Sequence, residues 1–209
     1  MQRVKRVVPI VVALLGVSAC GSPKPIKYYA VQVPAAPSPT SYKYPIHLQV
    51  GRITGPDLLE AEPIVYKTGK NEIGTYAYHR WTEAPVQLAQ TRLMRLLRAS
   101  GECQSVSTAA TGAGELVIRG NMYEFTEVDG DSIVGLVTME FELWNRRTGN
   151  VLWTHFYSQT EPVASKEVPA VVQALDHNLD RGLKEVVTAL GQYFAANPPG
   201  KPVAVASGT

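Results

Sequence analysis

Apolar and polar residues alternate over much of the chain, which predicts a protein built largely from strands. Ile46, Leu48 and Val50 alternate with His47 and Gln49, the period-two pattern of a strand with one buried face. Similar patterns, rich in β-branched and aromatic residues, predict further strands at 28–33, 64–68, 75–80, 116–128, 133–145 and 151–159. The last three are joined by the turn sequences Asp129-Gly130-Asp131 and Arg147-Thr148-Gly149-Asn150, which predict an antiparallel meander.

Two segments have the three- and four-residue spacing of a helix with one apolar side. The first follows Thr82, a candidate N-cap, has Pro85 in its first turn and ends before Gly101. The second carries an apolar stripe from Val168 to Phe194. An apolar stripe must be buried against another element, so we predict an α+β two-layer domain. In it, two long amphipathic helices pack on one face of a mainly antiparallel sheet.

The first twenty residues follow a different pattern, with a basic start, an apolar run from Val7 to Val17, and small residues before Cys20. As a helix this run would span roughly 16 Å, well short of a hydrocarbon core of about 30 Å. The pattern is typical of an export signal, and Val17-Ser18-Ala19-Cys20 resembles the lipobox of bacterial lipoproteins. An ordinary secretory signal followed by a chance cysteine is the alternative.

These features divide the chain into four predicted parts. Residues 1–19 form the signal peptide, and 20–45 form a lipidated Cys20 with a proline-rich tether that contains a short first strand. The folded domain is expected at 27–196. The segment 197–209, which begins Asn197-Pro198-Pro199-Gly200, is expected to be disordered.

Charge and cysteine content narrow the functional classes. Three of the 20 Lys and Arg residues lie in the signal, so the mature chain has 17 against 18 Asp and Glu, a net charge of −1. It therefore lacks the positive patch that nucleic-acid binding requires. With Cys20 lipidated, Cys103 is the one remaining cysteine and is predicted to be a buried small residue at the start of a strand. No later apolar run reaches the length of a transmembrane helix.

Motifs that could suggest chemistry have simpler structural interpretations. The four histidines lack the spacing of a zinc site, and no nucleophile elbow is present. Gly112-Ala113-Gly114 fits a flexible connector better than a nucleotide loop. Glu127, Asp129 and Asp131 fit a hairpin turn better than a calcium loop. Glu140 and Glu142 fit an exposed strand face better than an acid/base pair. We therefore predict no catalytic site, no metal and no cofactor.

Two groups of residues favour contact with a protein partner. Tyr76, Tyr78 and Arg80 fall on one face of a predicted strand that leads into Trp81, and aromatic and Arg side chains are enriched at interfaces. Trp144 lies on the predicted wet face of the meander, a second candidate surface. Core packing of one or two of these rings is the alternative, and either surface could make contacts between copies.

The order of several short motifs resembles the ABC-type transport auxiliary lipoprotein component family, the PqiC-like outer-membrane lipoproteins. The resemblance rests on the lipobox, Tyr28-Tyr29, Gly51-Arg52-Ile53, Pro56-Asp57-Leu58-Leu59, Pro63-Ile64-Val65-Tyr66, Arg80-Trp81-Thr82-Glu83-Ala84-Pro85 and the strand containing Phe125. It implies acyl chains, such as palmitate, on the amino-terminal Cys20. The residue after Cys20 is Gly21 and not the Asp that favours inner-membrane retention, so an outer-membrane anchor facing the periplasm is expected.

The same resemblance implies a place in a transport machine. Its other parts would be a periplasmic MCE-domain protein, an inner-membrane permease and a cytoplasmic ATPase, which together move lipids or hydrophobic solutes across the envelope. This chain would act by protein docking, without catalysis, and could form a homo-oligomer. Two alternatives stay open: a structural outer-membrane lipoprotein of another assembly, for barrel or lipopolysaccharide insertion, and a lipid-modified hydrolase.

Overall fold

The computed structural model describes residues 24–32, 39, 41–69, 71–108 and 114–198. The predicted signal peptide, Cys20, much of the tether, Gly112 and Ala113 of the connector, and the tail from residue 199 lie outside the described residues.

The predicted strands and helices are present in the predicted order. Their bounds are β1 (Lys27–Tyr29), β2 (Tyr44–Thr54), β3 (Pro63–Thr68), β4 (Glu72–Trp81), α1 (Pro85–Ser100), β5 (Cys103–Thr108), β6 (Leu116–Asp129), β7 (Val134–Asn145), β8 (Val151–Pro162) and α2 (Val168–Ala196). β1 ends at Tyr29, earlier than the strand predicted at 28–33. Of the other strands with predicted bounds, β7 begins one residue later than predicted, at Val134, and the rest reach or slightly exceed those bounds.

Strand β6 organises the sheet because three strands pair with it. Along one edge its first half pairs with β2 and its second half with β3, both parallel. Along the other edge it pairs with β7 over almost its whole length, antiparallel, and β8 follows β7. β5 lies beyond β2, and β4 and then β1 lie beyond β3.

The sheet is mixed, although the fold class is the predicted one. Four of the seven pairings among the described strands are parallel. The antiparallel pairings are the three between strands that follow each other directly in sequence, where a short turn reverses the chain. Turn sequences reveal local hairpins, whereas the parallel pairs join strands that are distant along the chain.

Both helices pack on one side of the sheet, as predicted, and we call this side the inner face. α1 contacts β2 and β5, whereas α2 contacts β6, β7, β8 and α1. Val137, Met139, Phe141 and Leu143 of β7 are fully buried beneath α2. The side chains that alternate with them, including Glu140 and Glu142, point to the opposite side, the outer face.

The ends of α1 differ from the prediction at one position. Its N-cap is Ala84, which makes no side-chain capping hydrogen bond, so the predicted N-cap Thr82 is wrong. Pro85 occupies the first turn, where its missing N–H costs nothing. At the other end, Gly101 has a φ of 66°, the left-handed conformation that stops a helix and strongly favours glycine.

A buried polar residue fixes the position of α2 on the sheet. The side-chain amide of Asn178 donates to the carbonyl oxygens of Gly135 (2.9 Å) and Gln159 (2.7 Å), one on β7 and one on β8. Its oxygen accepts a hydrogen bond of 2.6 Å from the hydroxyl of Tyr157. Because a shifted helix would leave these buried groups unpaired, the network defines one register of α2 against the hairpin.

A buried ion pair joins the two helices. Arg92 of α1 lies 2.6 Å from the carboxylate of Asp176 on α2, and it also donates to the Asp176 carbonyl oxygen at 3.2 Å. The Arg92 side chain is almost wholly buried, which makes the carboxylate partner necessary. The pair therefore fixes α1 beside α2 above the sheet.

Candidate docking surfaces

Trp81, one of the predicted partner-binding residues, lies in the core. Its exposed fraction is 0%, and its ring centre lies 5.2 Å from that of Phe125 on β6. The Trp81 backbone N–H donates to the Glu62 carbonyl oxygen at 2.8 Å, which anchors the end of β4. A buried indole offers no surface to a partner, so this residue is removed from the candidate docking surface. The alternative of core packing describes Trp81.

Tyr76 belongs to an aromatic cluster that is partly buried on β1, β3 and β4. Its ring makes edge contacts with Tyr66 (5.1 Å between centres) and His79 (5.7 Å). His79 in turn stacks on Tyr29, whose hydroxyl forms a 2.8 Å hydrogen bond with Nδ1 of His79. The cluster packs its rings against one another, which stabilises the junction of three strands.

The base of this cluster is a buried carboxylate. Tyr76 donates a hydrogen bond of 2.6 Å to Glu127, whose exposed fraction is 5%. Burial, and then this hydrogen bond, raise the pKa of Tyr76 well above its usual value, so the hydroxyl remains a donor. Glu127 therefore serves a structural role, in addition to preceding the predicted hairpin turn.

Tyr78 is exposed and Arg80 is half-buried, and the two are not arranged as strict alternation predicts. The pairing of β3 with β4 shifts between Pro63 and Val65, and in this irregular stretch His79 contacts Tyr76. Tyr78 is 43% exposed. Arg80 lines a groove of about 560 Å³ together with Glu62 and Glu83, at the start of α1.

Trp144 lies on the outer face, in a group that we call the outer-face cluster. The cluster consists of Arg119, Tyr123, Glu140, Glu142, Trp144 and Phe156. The Trp144 indole N–H donates to the Glu142 carboxylate at 2.9 Å, and the Tyr123 hydroxyl donates to the Glu140 carboxylate at 2.6 Å. The hydrogen bond to Glu140 raises the pKa of Tyr123. Each carboxylate is thus held beside an aromatic ring.

Two aromatic members of the outer-face cluster were not among the predicted site residues. Phe156 is 60% exposed and lies directly opposite Glu140 across the β7–β8 pairing. Tyr123 is 41% exposed and occupies a shift in the β6–β7 register. For Phe156 a signal exists in the sequence: it is a large aromatic residue in the same alternating phase as Thr154 and Ser158. For Tyr123 no such signal exists, because the register shift is a feature of the pairing.

Cys103 begins β5, is buried and has a free thiol. Burial, followed by the nearby charge of Glu102, raises the pKa of this thiol to about 12. A thiol in this state is a weak nucleophile near neutral pH, because the thiolate is the reactive form.

Within the described ranges, no three His, Cys, Asp or Glu side chains come together as a metal-binding group. Neither of the two described helices combines the length and the apolar character needed to cross a bilayer.

Solved structures of other proteins share this fold. A protein from Xanthomonas campestris superimposes with a TM-score of 0.74 at 15% identity, covering 82% of this chain and 98% of that one. A second structure, of a protein described as uncharacterized, has a TM-score of 0.63 at 14% identity, covering 80% of this chain and 99% of the other. At these identities the similarity establishes a shared fold.

Among curated proteins there is no significant match to this chain. A family model does match, over residues 29–187, and its description is ABC-type transport auxiliary lipoprotein component. The match extends from the end of β1 through most of α2, so it takes in β2 to β8 and α1 completely. This chain therefore belongs to the ABC-type transport auxiliary lipoprotein component family.

Proposed function

We propose that this chain is the outer-membrane-anchored auxiliary lipoprotein of an ABC and MCE-type transport system that moves lipids or hydrophobic solutes across the cell envelope. It acts by binding protein partners and carries out no catalysis. The observation that carries the proposal is the family match over residues 29–187 in a chain whose leader ends in a lipobox at Cys20.

The anchoring part of the proposal is supported by the sequence around Cys20. Lipidation at this position would attach acyl chains to the amino terminus, and two or more such chains give stable membrane association. Gly21 follows Cys20 in place of a retention-favouring Asp, which supports the outer membrane as the destination. The proline-rich segment between Cys20 and β2 would then connect the membrane to the domain.

The docking part of the proposal is supported by the surface of the domain. The aromatic rings and the Arg119 guanidinium of the outer-face cluster, together with the exposed Tyr78, are the kinds of side chain that are enriched at protein interfaces. The proposed partner is a periplasmic MCE-domain protein, which links this chain to a permease and an ATPase. Acyl chains are costly to expose to water, so a transport route between two membranes needs a docking component at its far end.

Localisation is tested by separating inner and outer membranes on a density gradient after labelling cells with radioactive palmitate. The expected result is a labelled protein in the outer-membrane fraction. Label in the inner-membrane fraction would contradict the proposed address, and an unlabelled protein in the soluble fraction would contradict the anchor itself.

The transport assignment is tested by affinity purification of the full-length lipoprotein from gently solubilised envelopes. The MCE-domain protein is expected to co-purify together with its permease and ATPase. Co-purification of a barrel-assembly or lipopolysaccharide-insertion complex instead would favour the alternative of a structural lipoprotein. Neighbouring genes for an ATPase, a permease and an MCE-domain protein would support the first result independently.

A further inference from the structure

We propose that the outer-face cluster is a binding site for an arginine-bearing segment of a protein partner. The proposal builds on the proposed function in one respect, since it assumes that the domain acts by docking to protein. It adds the location of one docking surface and the chemistry of what that surface binds.

The two carboxylates of the outer-face cluster have no cationic partner among the described residues. Glu140 and Glu142 are two residues apart on β7 and share the outer face. Each accepts a hydrogen bond from an aromatic neighbour, and neither forms an ion pair with any residue in the described part of the chain. By contrast, Glu124 on the neighbouring strand β6 is paired with Lys67. The two central carboxylates thus lack a cationic partner and keep free acceptor positions for one.

Aromatic rings lie beside these carboxylates. Tyr123 is on one side of Glu140, and Phe156 is directly opposite it on the other. A guanidinium group can bond a carboxylate through its edge while its face stacks on an aromatic ring, which an ammonium group does less well. The combination of free carboxylates and exposed rings therefore favours arginine over lysine.

The cluster already contains the stacking half of this recognition. Arg119 lies opposite Glu142 across the β6–β7 pairing, and its guanidinium carbon is 5.2 Å from the ring centre of Trp144. A guanidinium thus stacks on Trp144, whose indole N–H is held by Glu142, while Arg119 forms no ion pair with that carboxylate. The equivalent place beside Glu140, between Tyr123 and Phe156, has no such cation among the described residues.

Charge disfavours two other occupants. A membrane surface would have to remove water from two unpaired carboxylates, and anionic lipids would repel them. Two copies packed through this face would bring together four carboxylates and only two Arg119 side chains, each stacked on its own Trp144, so an excess of negative charge would oppose the contact. An arginine-bearing protein segment can pair with the carboxylates and also stack on the exposed rings.

The binding chemistry is tested with the full-length lipoprotein in detergent and a short labelled peptide that alternates Arg and Val. A matched peptide with citrulline in place of Arg keeps the shape and removes the charge. Fluorescence anisotropy is expected to show binding of the Arg peptide that weakens as salt is added. The variants Glu140→Gln/Glu142→Gln and Phe156→Ala are each expected to weaken it by about tenfold or more, as loss of a charge-assisted contact or an aromatic anchor does.

The control removes two exposed acidic groups elsewhere, in the variant Asp57→Asn/Glu72→Gln, and is expected to bind like the wild type. The amide oxygen introduced by Glu140→Gln can still accept the Tyr123 hydrogen bond, and Phe156 is largely exposed, so unchanged thermal melting is expected for both test variants. Equal binding of the citrulline peptide, or unchanged affinity in Glu140→Gln/Glu142→Gln, would overturn the proposal.

The location is tested in cells by placing a photo-crosslinking amino acid at Phe156 or, for comparison, at Tyr78. A crosslink from position 156 to an Arg-containing segment of the MCE-domain protein supports both proposals. A crosslink from 156 to such a segment of a different envelope protein supports the surface but contradicts the transport assignment. Crosslinking of the MCE-domain protein from position 78 alone supports the transport assignment and overturns the docking role of the outer-face cluster. A crosslink from position 156 to lipid or to a second copy would also overturn that role.

Discussion

Tyr78 and Trp81 illustrate how two aromatic residues in one strand acquire different roles. Both belong to the same aromatic-rich stretch of sequence, three residues apart. The shift in the β3–β4 pairing and the packing of β6 decide which of the two side chains is buried. Trp81 packs against Phe125 of β6, and Tyr78 lies at the surface. Their substitution should therefore affect different properties.

Trp81→Ala is expected to lower the free energy of unfolding by about 3–5 kcal/mol, the cost of removing a large buried aromatic side chain. Tyr78→Ala is expected to change it by about 0.5 kcal/mol or less, as for other exposed positions. Urea denaturation followed by circular dichroism measures both values. Similar losses for the two variants would show that the burial described for Trp81 is incorrect.

Cys103 provides a test of burial through its reactivity. With Cys20→Ser it becomes the one thiol of the chain. Because burial raises its pKa to about 12, alkylation by iodoacetamide at pH 8 is expected to be far slower in the folded protein than in guanidinium chloride. Mass spectrometry of timed samples gives both rates. Rapid alkylation of the folded protein would place the thiol at the surface.

At the scale of elements, the contact of α2 with the sheet depends on one small residue. Gly182 faces the ring of Tyr157, and an added Cβ would lie 2.6 Å from the ring atom Cε1. The ring is held by its hydrogen bond to Asn178 and has little freedom to move. Gly191, on the same helix, faces only the flexible side chain of Glu102.

Gly182→Ala is accordingly expected to destabilise the domain by about 1–3 kcal/mol, because the added methyl group overpacks the interface with β8. Gly191→Ala serves as the matched control and is expected to stabilise it by up to about 1 kcal/mol through better helix propensity. Thermal melting of both variants gives the sign of each change. A stabilising effect of Gly182→Ala would contradict the close packing described here.

The helices and hairpins could be predicted from sequence because their signals are local. Apolar spacing within α2 and the turn between β6 and β7 each concern residues that are close along the chain. The parallel pairings of β6 with β2 and β3 could not be predicted in this way. They depend on which distant strands bury their apolar faces best together, and no short motif encodes that choice.

At the scale of the whole molecule, the anchor and the domain are predicted to be independent. Cys20 is not among the described residues, and the described core consists of residues from β2 onward together with Val31. The domain should therefore fold without the lipid, and the lipid should determine only where the domain is held.

Cys20→Ser is expected to release the protein from membranes into the soluble fraction while leaving its melting temperature unchanged. Cys103→Ala, which removes the other cysteine, is expected to stay in the membrane fraction. Fractionation with immunoblotting and thermal melting of the purified proteins are the measurements. If Cys20→Ser stayed with the membrane, another means of attachment would be required.

The sequence alone determined the features that depend on residues near each other in the chain. These are the succession of strands, the two amphipathic helices and hence the α+β class, whereas the export leader that ends at Cys20 stays a prediction. The tertiary structure decided which side chains are buried and which are grouped. It placed Trp81 in the core and brought Tyr123 and Phe156 beside Glu140, because strand register and helix cover are set by the packing of distant segments.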